Sequence, residues 1–525
     1  MAKKKSEEFV NTITDGYPEK NALYIGGGLL EGKPFPEAKV QIPLSTLNRH
    51  GLIAGATGTG KTKTLQLLTE SLSDAGVPVV LMDIKGDLSG LAKPGTSNEK
   101  IEERTKSLGV EWNPESYPVE FLSLSSEPGA KLRSTISEFG PILISRILGL
   151  NDTQSGVISL VFKYCDDMGL PILDLKDFKK ALQYINSDEG KIAIEKDYGS
   201  VSSQSISTIL RKLIELESQG ADDFFGEPSF DVMDLVQAKK GKGQVSIIRL
   251  TDIQTKPHLF STFMLSLLTE VYANFPEEGD LEKPKLVLFI DEAHLVFSEA
   301  SNDLMKQLEA MVRLIRSKGV GIIFCTQSPT DIPKEVLAQL GLKVQHALRA
   351  FTANDRKAIK QASENYPSTD FYDTKEAITE LGIGEAFVTA LSPKGNPTPL
   401  VWTLLSPPRS RMGILTDAEL KSLIESSDLV KKYEKTLDRE SAYELLTKQM
   451  ESIADAAEEE EPKESTRKSK REKEDPSLVE TISKNPLARE VGRTVAREVT
   501  RGLLGMLGVS TKKTTRKKKT GIFGF

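Results

Sequence analysis

The chain has 525 residues, of which 38% are hydrophobic and 27% charged, and its formal net charge is −6. This length predicts two or three domains, and the composition is typical of a globular protein that is soluble in water. The two cysteines, Cys165 and Cys325, exclude a disulfide framework or a cysteine-rich zinc site and favour a reducing cytosol. Because the N-terminus has no apolar stretch and no window approaches 18 apolar residues, we expect a cytoplasmic protein without a membrane span.

The first informative segment is residues 55–62, Gly-Ala-Thr-Gly-Thr-Gly-Lys-Thr, a full match to the phosphate-binding pattern G-x-x-x-x-G-K-[ST]. A glycine-rich turn aims backbone N–H groups at phosphate oxygens, Lys61 would reach the β- and γ-phosphates, and the Thr62 hydroxyl would bind Mg²⁺. Apolar residues 52–54 and the helical spacing in 64–72 place this loop at a helix N-terminus, where anions are favoured. We therefore predict a nucleoside triphosphate site formed by Gly55, Ala56, Thr57, Gly58, Thr59, Gly60, Lys61 and Thr62.

Strands and helices alternate along the chain, which is typical of a parallel α/β core. A buried strand is predicted over 77–84, and its end carries Asp83, Lys85 and Asp87. From about 130 to 240 the pattern predicts helices, over 133–148, 153–168, 173–185 and 201–219. Strands resume at 244–250, 285–290, 320–326, 343–348, 385–390 and 398–404. We expect a short N-terminal region (1–50) and a core formed by 51–129 and 241–410, with a helical insertion at 130–240 that separates strands of one sheet.

The strand predicted at 285–290 ends in two carboxylates, Asp291 and Glu292. Asp291 would hold Mg²⁺ through a water molecule, and Glu292 would polarise a second water for attack on the γ-phosphate. Buried strands often end in Asp, so this pattern alone is weak. Its combination with the phosphate-binding loop predicts a hydrolase, because a small-molecule kinase has no need to activate water.

The strand predicted at 320–326 ends beside Gln327. An amide at the tip of a strand next to the acidic strand would contact the γ-phosphate or position the attacking water. In the alternative interpretation, Gln327 is a turn residue that precedes Ser328 and Pro329.

Together these segments resemble the HerA/FtsK superfamily of hexameric DNA-pumping ATPases, and most closely the bacterial HerA-like helicase family. The resemblance covers roughly residues 20–410 and is carried by 55–62, 83–90, 132–141, 283–294 and 326–329. It implies a RecA-like core, ATP and Mg²⁺ as ligands, a homohexameric ring, ATP sites shared between neighbouring subunits, and DNA as a sequence-nonspecific partner. HerA proteins usually begin with a β-barrel domain that helps them bind a nuclease, whereas about 50 residues precede the loop here.

Ring ATPases commonly need an arginine from the neighbouring subunit to offset charge on the transferred phosphoryl group. The first candidate is Arg133, which opens the insertion within a stretch that resembles the family's pattern. Arg349, just beyond the strand at 343–348, is the candidate for a sensor within the same subunit. Arg313 and Arg316 share a helix face after Glu292, and an ion pair or a solvated face explains them equally well.

Beyond residue 410 the composition changes. Charged helices are predicted within 411–457, at 416–425 and 429–455, and the Glu, Lys, Arg, Ser and Pro of 458–484 predict a disordered linker. In 485–508, four arginines at four-residue spacing beside an apolar stripe predict a basic amphipathic helix, and 509–525 is a basic tail. Three interpretations of this helix stay open: packing on its own ring or on a protein partner, contact with nucleic-acid phosphates, and contact with an anionic membrane.

The sequence thus predicts an ATP-driven ring motor that acts on double-stranded DNA. Two alternatives come from other classes: a motor for protein substrates, and an assembly or regulatory module in which hydrolysis switches a binding state without translocation. Stimulation of ATP hydrolysis by DNA distinguishes the first hypothesis from the other two.

Overall fold

The computed structural model describes residues 2–17, 20–125, 127–252, 257–279, 281–298 and 302–459. The predicted basic helix at 485–508, the basic tail at 509–525 and nearly all of the predicted linker lie outside these residues.

The described helices are numbered in chain order. They are α1 Ala2–Gly16, α2 Lys61–Asp74, α3 Glu99–Leu108, α4 Ile136–Ile147, α5 Asp152–Met168, α6 Leu175–Asn186, α7 Asp188–Tyr198, α8 Ser203–Ser218, α9 Pro257–Asn274, α10 His294–Ser298, α11 Asn302–Ile315, α12 Lys334–Leu337, α13 Ala353–Ser363, α14 Thr374–Glu380, α15 Asp417–Ser426, α16 Asp428–Tyr433 and α17 Ala442–Glu459.

The described strands are numbered in the same way. They are β1 Ala22–Leu30, β2 Lys33–Pro43, β3 Gly51–Ala54, β4 Val79–Asp83, β5 Val119–Ser123, β6 Ala130–Lys131, β7 Ala238–Lys239, β8 Lys242–Gly243, β9 Val245–Arg249, β10 Leu286–Ile290, β11 Val320–Thr326, β12 Leu342–Gln345, β13 Glu385–Thr389 and β14 Val401–Leu405.

One large sheet organises the molecule, with strands in the order β2-β1-β14-β13-β12-β3-β11-β10-β4-β9-β5-β6. From β12 to β6 every neighbouring pair is parallel, and from β12 to β2 every pair is antiparallel. The central strands β3, β4, β10 and β11 are buried along their whole length, as expected of strands covered on both faces. The predicted mostly parallel α/β core is therefore confirmed, and β4 and β9 pair in one sheet although the insertion separates them in sequence.

The helical insertion contains α4 to α8 between β6 and β9. The prediction that a helix begins at Arg133 was wrong, because Thr135 and Glu138 form a capping box that starts α4 at Ile136. Helix α4 is kinked at Gly140, which has a φ of 72° and is followed by Pro141. Helix α7, which no pattern in the sequence indicated, packs against α6.

The N-terminal region continues the sheet. Strands β1 and β2 form an antiparallel hairpin, and β1 pairs with β14, so this hairpin is part of the core sheet. Helix α1 packs on the hairpin and buries Phe9 and Ile13 against it.

After β14 the chain crosses the helix that follows the phosphate-binding loop; we call residues 407–416 the C-terminal strap. The buried Glu70 carboxylate of α2 accepts hydrogen bonds from the backbone N–H groups of Arg409 (2.8 Å) and Ser410 (2.9 Å). Gln66 of α2 donates to the Ser410 hydroxyl (2.6 Å) and to the Arg411 carbonyl (3.0 Å). These bonds tie the strap to α2, together with those from the Ser410 hydroxyl to Glu70, from Lys63 to the Met412 carbonyl and from Arg409 to Asp74.

The chain beyond the strap continues to the far end of the sheet and the insertion. The single helix predicted over 429–455 was wrong: the structure has α16, which ends at Tyr433, and α17, which begins at Ala442. The Tyr433 hydroxyl donates to Asp234 (2.6 Å) and the Ser441 hydroxyl donates to Asp177 (2.5 Å), so both helices are tied to the insertion. Helix α16 packs beside β6, and α17 packs against α6. Every helix in the described part of the chain is too short or too polar to cross a bilayer.

Candidate active site

The phosphate-binding loop joins β3 to α2 at the carboxyl edge of the parallel sheet. Two of its glycines are required by close approach. A Cβ atom at Gly55 would lie 2.5 Å from the Cβ of His346, and Gly60, at a φ of 111°, passes so near Gly384 that its Cβ would lie 3.2 Å from that residue's backbone nitrogen. The loop is therefore folded tightly against the chain that follows β12 and precedes β13.

Several backbone N–H groups of this loop have no partner in the described part of the chain and lie beside the Lys61 ammonium. No described residue accepts a hydrogen bond from the backbone N–H groups of Gly58, Gly60, Lys61 or Thr62. The buried Lys61 ammonium donates to the carbonyl oxygens of Gly55 (2.6 Å) and Ala56 (3.1 Å). Burial lowers the pKa of Lys61, and the nearby Lys85 charge lowers it further. Unpaired N–H groups beside a buried ammonium at a helix N-terminus fit a phosphate chain.

The acidic pair lies two strands away from β3. Asp291 and Glu292 follow β10 and are 7% and 6% exposed. Glu292 has a φ of 45°, which is uncommon for a non-glycine residue and aims its side chain back into the site. Its Oε1 lies 2.5 Å from Lys85 Nζ and its Oε2 lies 3.2 Å from His294 Nδ1. Burial raises the pKa of Asp291 to about 6, although Lys85 acts in the opposite direction.

These residues fit a site for a divalent cation bound to a triphosphate. Asp291 is a buried carboxylate whose charge acts on Lys61, and Thr62 stands in the first turn of α2. Hard oxygen donors of this kind suit Mg²⁺, which binds through one or two protein groups together with phosphates and water. The roles predicted for Thr62 and Asp291 in metal binding stay predictions.

An open cleft of about 700 Å³ adjoins the loop. It is lined by Ala56 and Thr57 on one side and by Gln327 and Arg349 on the other. The side chain of Gln327 is exposed, and the turn after it is held by Ser328, whose backbone N–H donates to Asp331 (3.0 Å). Gln327 and Arg349 therefore line the same cleft as the loop, and the roles predicted for them stay predictions.

Arg133 lies elsewhere. It follows β6, which is six strand intervals from β3, or about 29 Å across the sheet. Its guanidinium donates to the Tyr433 carbonyl (2.8 Å). Arg133 therefore does not reach the loop of its own chain, and the role predicted for it stays a prediction. Arg313 and Arg316 are exposed and line no part of the cleft.

His346 supports the loop from behind, a role that the sequence did not indicate. Its Nε2 lies 2.8 Å from the Thr64 hydroxyl, its backbone N–H donates to Ala54 (2.7 Å), and the next carbonyl, of Ala347, accepts from Ala56 (2.8 Å). Burial lowers the pKa of His346 to about 4. The imidazole is thus neutral at physiological pH and fills the space beneath Gly55.

His346 predicts a pH dependence of stability. Its unfolded-state pKa is 6.5 and its folded-state pKa is about 4, so the unfolded chain binds the proton first and stability is lost as the pH falls from about 6.5 towards 4. We expect the advantage of the wild type over His346→Asn in free energy of unfolding to shrink by about 2 kcal/mol between about pH 7 and about pH 5. Urea unfolding measures it. The buried His50 also has a pKa of about 4 and cancels in the difference. A difference that is independent of pH would contradict the assignment.

Arg104 is a second supporting residue without a sequence signal. Its guanidinium donates to the carbonyls of Gly384 (2.8 Å) and Ile383 (3.0 Å), and the Gly384 N–H donates to the loop carbonyl of Thr59 (3.1 Å). Helix α3 thus fixes the segment before β13, and that segment fixes the loop.

Comparison with known proteins identifies the family. The family described as "Helicase HerA-like C-terminal" matches residues 29–513. The chain is similar to proteins named DNA double-strand break repair helicase HerA, from Sulfolobus acidocaldarius (22% identical, over 70% of this chain and 68% of the relative) and Sulfurisphaera tokodaii (24%, over 70% and 68%). Among solved structures, the plasmid coupling protein TrwB with a non-hydrolysable GTP analogue has a TM-score of 0.50 at 15% identity, over 77% of this chain and 95% of TrwB, which is a likeness of fold alone. The predicted resemblance is confirmed, and the chain belongs to the HerA-like C-terminal helicase family.

Proposed function

We propose that this protein is an ATP-hydrolysing motor of the HerA/FtsK type that translocates or remodels double-stranded DNA. The observation that carries the proposal is the meeting of Lys61, Asp291 and Glu292 at one edge of a parallel sheet, within electrostatic reach of one another. The names of the HerA relatives support DNA as the substrate.

Each step of hydrolysis is assigned to residues whose positions in the fold are described above. The loop N–H groups and Lys61 bind the triphosphate, and Thr62 and Asp291 hold Mg²⁺, which neutralises phosphate charge when bound. Glu292 takes the proton of a water molecule whose oxygen forms a bond to the γ-phosphorus. The bond from that phosphorus to the bridging oxygen breaks, and ADP and inorganic phosphate leave. Gln327 positions the water or contacts the γ-phosphate from the cleft.

ATP turnover with and without duplex DNA tests the proposal. We expect DNA to raise turnover and binding to weaken steeply with salt, because phosphate contacts dominate sequence-nonspecific binding. Turnover that no nucleic acid changes would instead favour a motor for protein substrates or a regulatory module, and the absence of hydrolysis would overturn all three. Both cysteines are free and buried, which fits the reducing cytoplasm that we propose as its compartment.

We further propose a homohexamer in which Arg133 completes the site of a neighbour and Arg349 acts within its own. Arg133→Ala is expected to abolish hydrolysis and leave nucleotide binding intact, because the arginine would offset charge on the phosphoryl group during its transfer, whereas the loop of the other subunit binds the nucleotide. Turnover and binding of a fluorescent nucleotide measure the two effects. Arg439→Ala is the matched control. Arg439 and Arg133 line one pocket, which is separate from the cleft beside the phosphate-binding loop, and Arg439 pairs with Glu227.

A mixing experiment separates a role in a neighbour from a role in the same chain. Subunits with Arg133→Ala keep an intact loop, and subunits with Lys61→Ala keep Arg133. If Arg133 acts on a neighbour, mixed rings contain complete sites and recover part of the activity that neither variant has alone. Mixed rings that stay inactive, or a fully active Arg133→Ala protein, would remove Arg133 from the site.

A further inference from the structure

Lys85 is a charged residue of the site to which the proposed mechanism assigns no task. It belongs to the turn after β4, and β4 pairs with β10 so that Met82 lies opposite Ile290. The Asp83 carboxylate holds this turn by accepting hydrogen bonds from the backbone N–H groups of Gly86 (2.7 Å) and Leu88 (3.1 Å). The fold therefore presents Lys85 directly to the residues that follow β10.

The Lys85 ammonium lies 2.5 Å from Oε1 of Glu292, and His294 Nδ1 lies 3.2 Å from Oε2. Oε1 is thus occupied by the ammonium, whereas Oε2 is buried and accepts no hydrogen bond from a described residue. A carboxylate oxygen in a short ion pair with an ammonium is not available to a water molecule. In this arrangement Oε1 is occupied and Oε2 is shielded from solvent, so a water molecule reaches neither oxygen until the ion pair opens.

The two partners differ in freedom. The Glu292 side chain is 8% exposed and its backbone is fixed at a positive φ, whereas the Lys85 side chain is 41% exposed. Lysine carries its charge on a flexible four-carbon stem. If the pair separates, Lys85 is therefore the partner that moves.

A second acceptor for Lys85 is expected close by. Among the charges around Lys61, Lys85 is the one that lowers its pKa, so the two ammonium groups lie within electrostatic reach of one another. Burial acts to lower the pKa of Lys85, but its hydrogen bond to Glu292 and the charge of Asp291 outweigh burial and raise it. Lys85 is thus a cation within electrostatic reach of Lys61, the residue that the proposed function assigns to the β- and γ-phosphates.

We propose that Lys85 is a γ-phosphate-responsive switch: it restrains Glu292 through their ion pair and transfers to the γ-phosphate of a bound triphosphate, which frees Oε1 of Glu292 to accept the proton of the attacking water. A diphosphate has no γ-oxygen to attract Lys85, so the switch separates triphosphate from diphosphate. This inference rests on the proposed ATPase function and adds a regulatory step to the same site.

A double-mutant cycle on nucleotide binding tests the switch in the full-length protein. Dissociation constants for a non-hydrolysable ATP analogue and for ADP are measured for the wild type, Lys85→Met, Glu292→Gln and the double variant. Lys85→Met is expected to weaken the ATP analogue about 10-fold, the loss of one charge-assisted contact, and to change ADP binding less than about twofold. Glu292→Gln is expected to tighten the analogue severalfold, because Lys85 no longer has to leave a charged partner.

The diagnostic result is that Glu292→Gln gives no tightening when Lys85 is already Met. Lys93→Met is the control, because the Lys93 ammonium forms no ion pair with a described residue and should leave both constants unchanged. Thermal unfolding checks that each variant is folded, and Lys85→Gln replaces Lys85→Met if the latter is not. Equal weakening of both nucleotides by Lys85→Met, or equal tightening by Glu292→Gln in both backgrounds, would overturn the switch.

The cycle reports on the switch independently of the proposed function, because none of its measurements requires turnover. If the four proteins show the expected coupling but the wild type does not hydrolyse ATP, the switch is retained and the proposed ATPase function is refuted. If the wild type hydrolyses ATP but the four proteins show no coupling, the ATPase function is retained and the switch is refuted.

Discussion

Replacement of Glu292 by Gln is expected to lower ATP turnover by roughly 10²–10⁴-fold without weakening nucleotide binding. The amide preserves the shape of the side chain but does not take a proton from water. Glu292 is 6% exposed and follows a central strand, so the change acts on a fixed position in the site. Phosphate release in the presence of duplex DNA measures the loss.

Glu335→Gln is the matched control, because Glu335 is an exposed carboxylate on α12, near the tip of β11, and lines no part of the cleft. It should leave turnover unchanged. Turnover of Glu292→Gln within about tenfold of the wild type would show that a different group accepts the proton.

Replacement of Lys61 by Ala is expected to abolish turnover and to weaken triphosphate binding about 10- to 100-fold. Lys61 is the buried ammonium of the loop. The phosphates would lose a charge-assisted hydrogen bond in a site with little access to solvent. Fluorescence titration with a labelled nucleotide measures binding, and phosphate release measures turnover.

Lys334→Ala, which removes an exposed lysine from α12, controls for the general loss of one positive charge. Unfolding temperature without nucleotide should change little in Lys61→Ala, because Lys61 donates only to two loop carbonyls. Unaltered triphosphate affinity in Lys61→Ala would refute the nucleotide site itself.

The sequence predicted the parts of the site that depend on local chemistry. The phosphate-binding loop is a contiguous octet, and Asp291 and Glu292 directly follow an apolar run, so each is visible without knowledge of the fold. The carboxyl ends of parallel strands meet at one edge, which is why the two distant segments were expected to meet. The register of β3 against β11 and of β11 against β10 now gives that meeting its geometry.

The supporting residues were not predictable because their partners are distant in sequence. His346 and Thr64 are in contact across 282 residues, and Arg104 and Gly384 across 280. Strand β1 contains Gly26, Gly27 and Gly28, residues of low strand propensity. These glycines are needed because neighbouring segments of the chain pack so closely on the strand. A Cβ at Gly26 would lie 2.1 Å from the Leu404 carbonyl oxygen, and a Cβ at Gly28 would lie 2.9 Å from the Phe9 ring.

The C-terminal strap shows that the folded unit does not stop at the last strand of the sheet. A shortened protein that ended at Ser406 would leave the Glu70 carboxylate and the Gln66 amide on a buried face of α2 without the strap groups that they bond. The helix that begins with Lys61 would then carry unpaired polar groups in its interior, at a cost of about 1–3 kcal/mol for each. Residues 409–411 therefore belong to the same folded unit as α2, and a division of the chain at 410 would cut through contacts that support this helix.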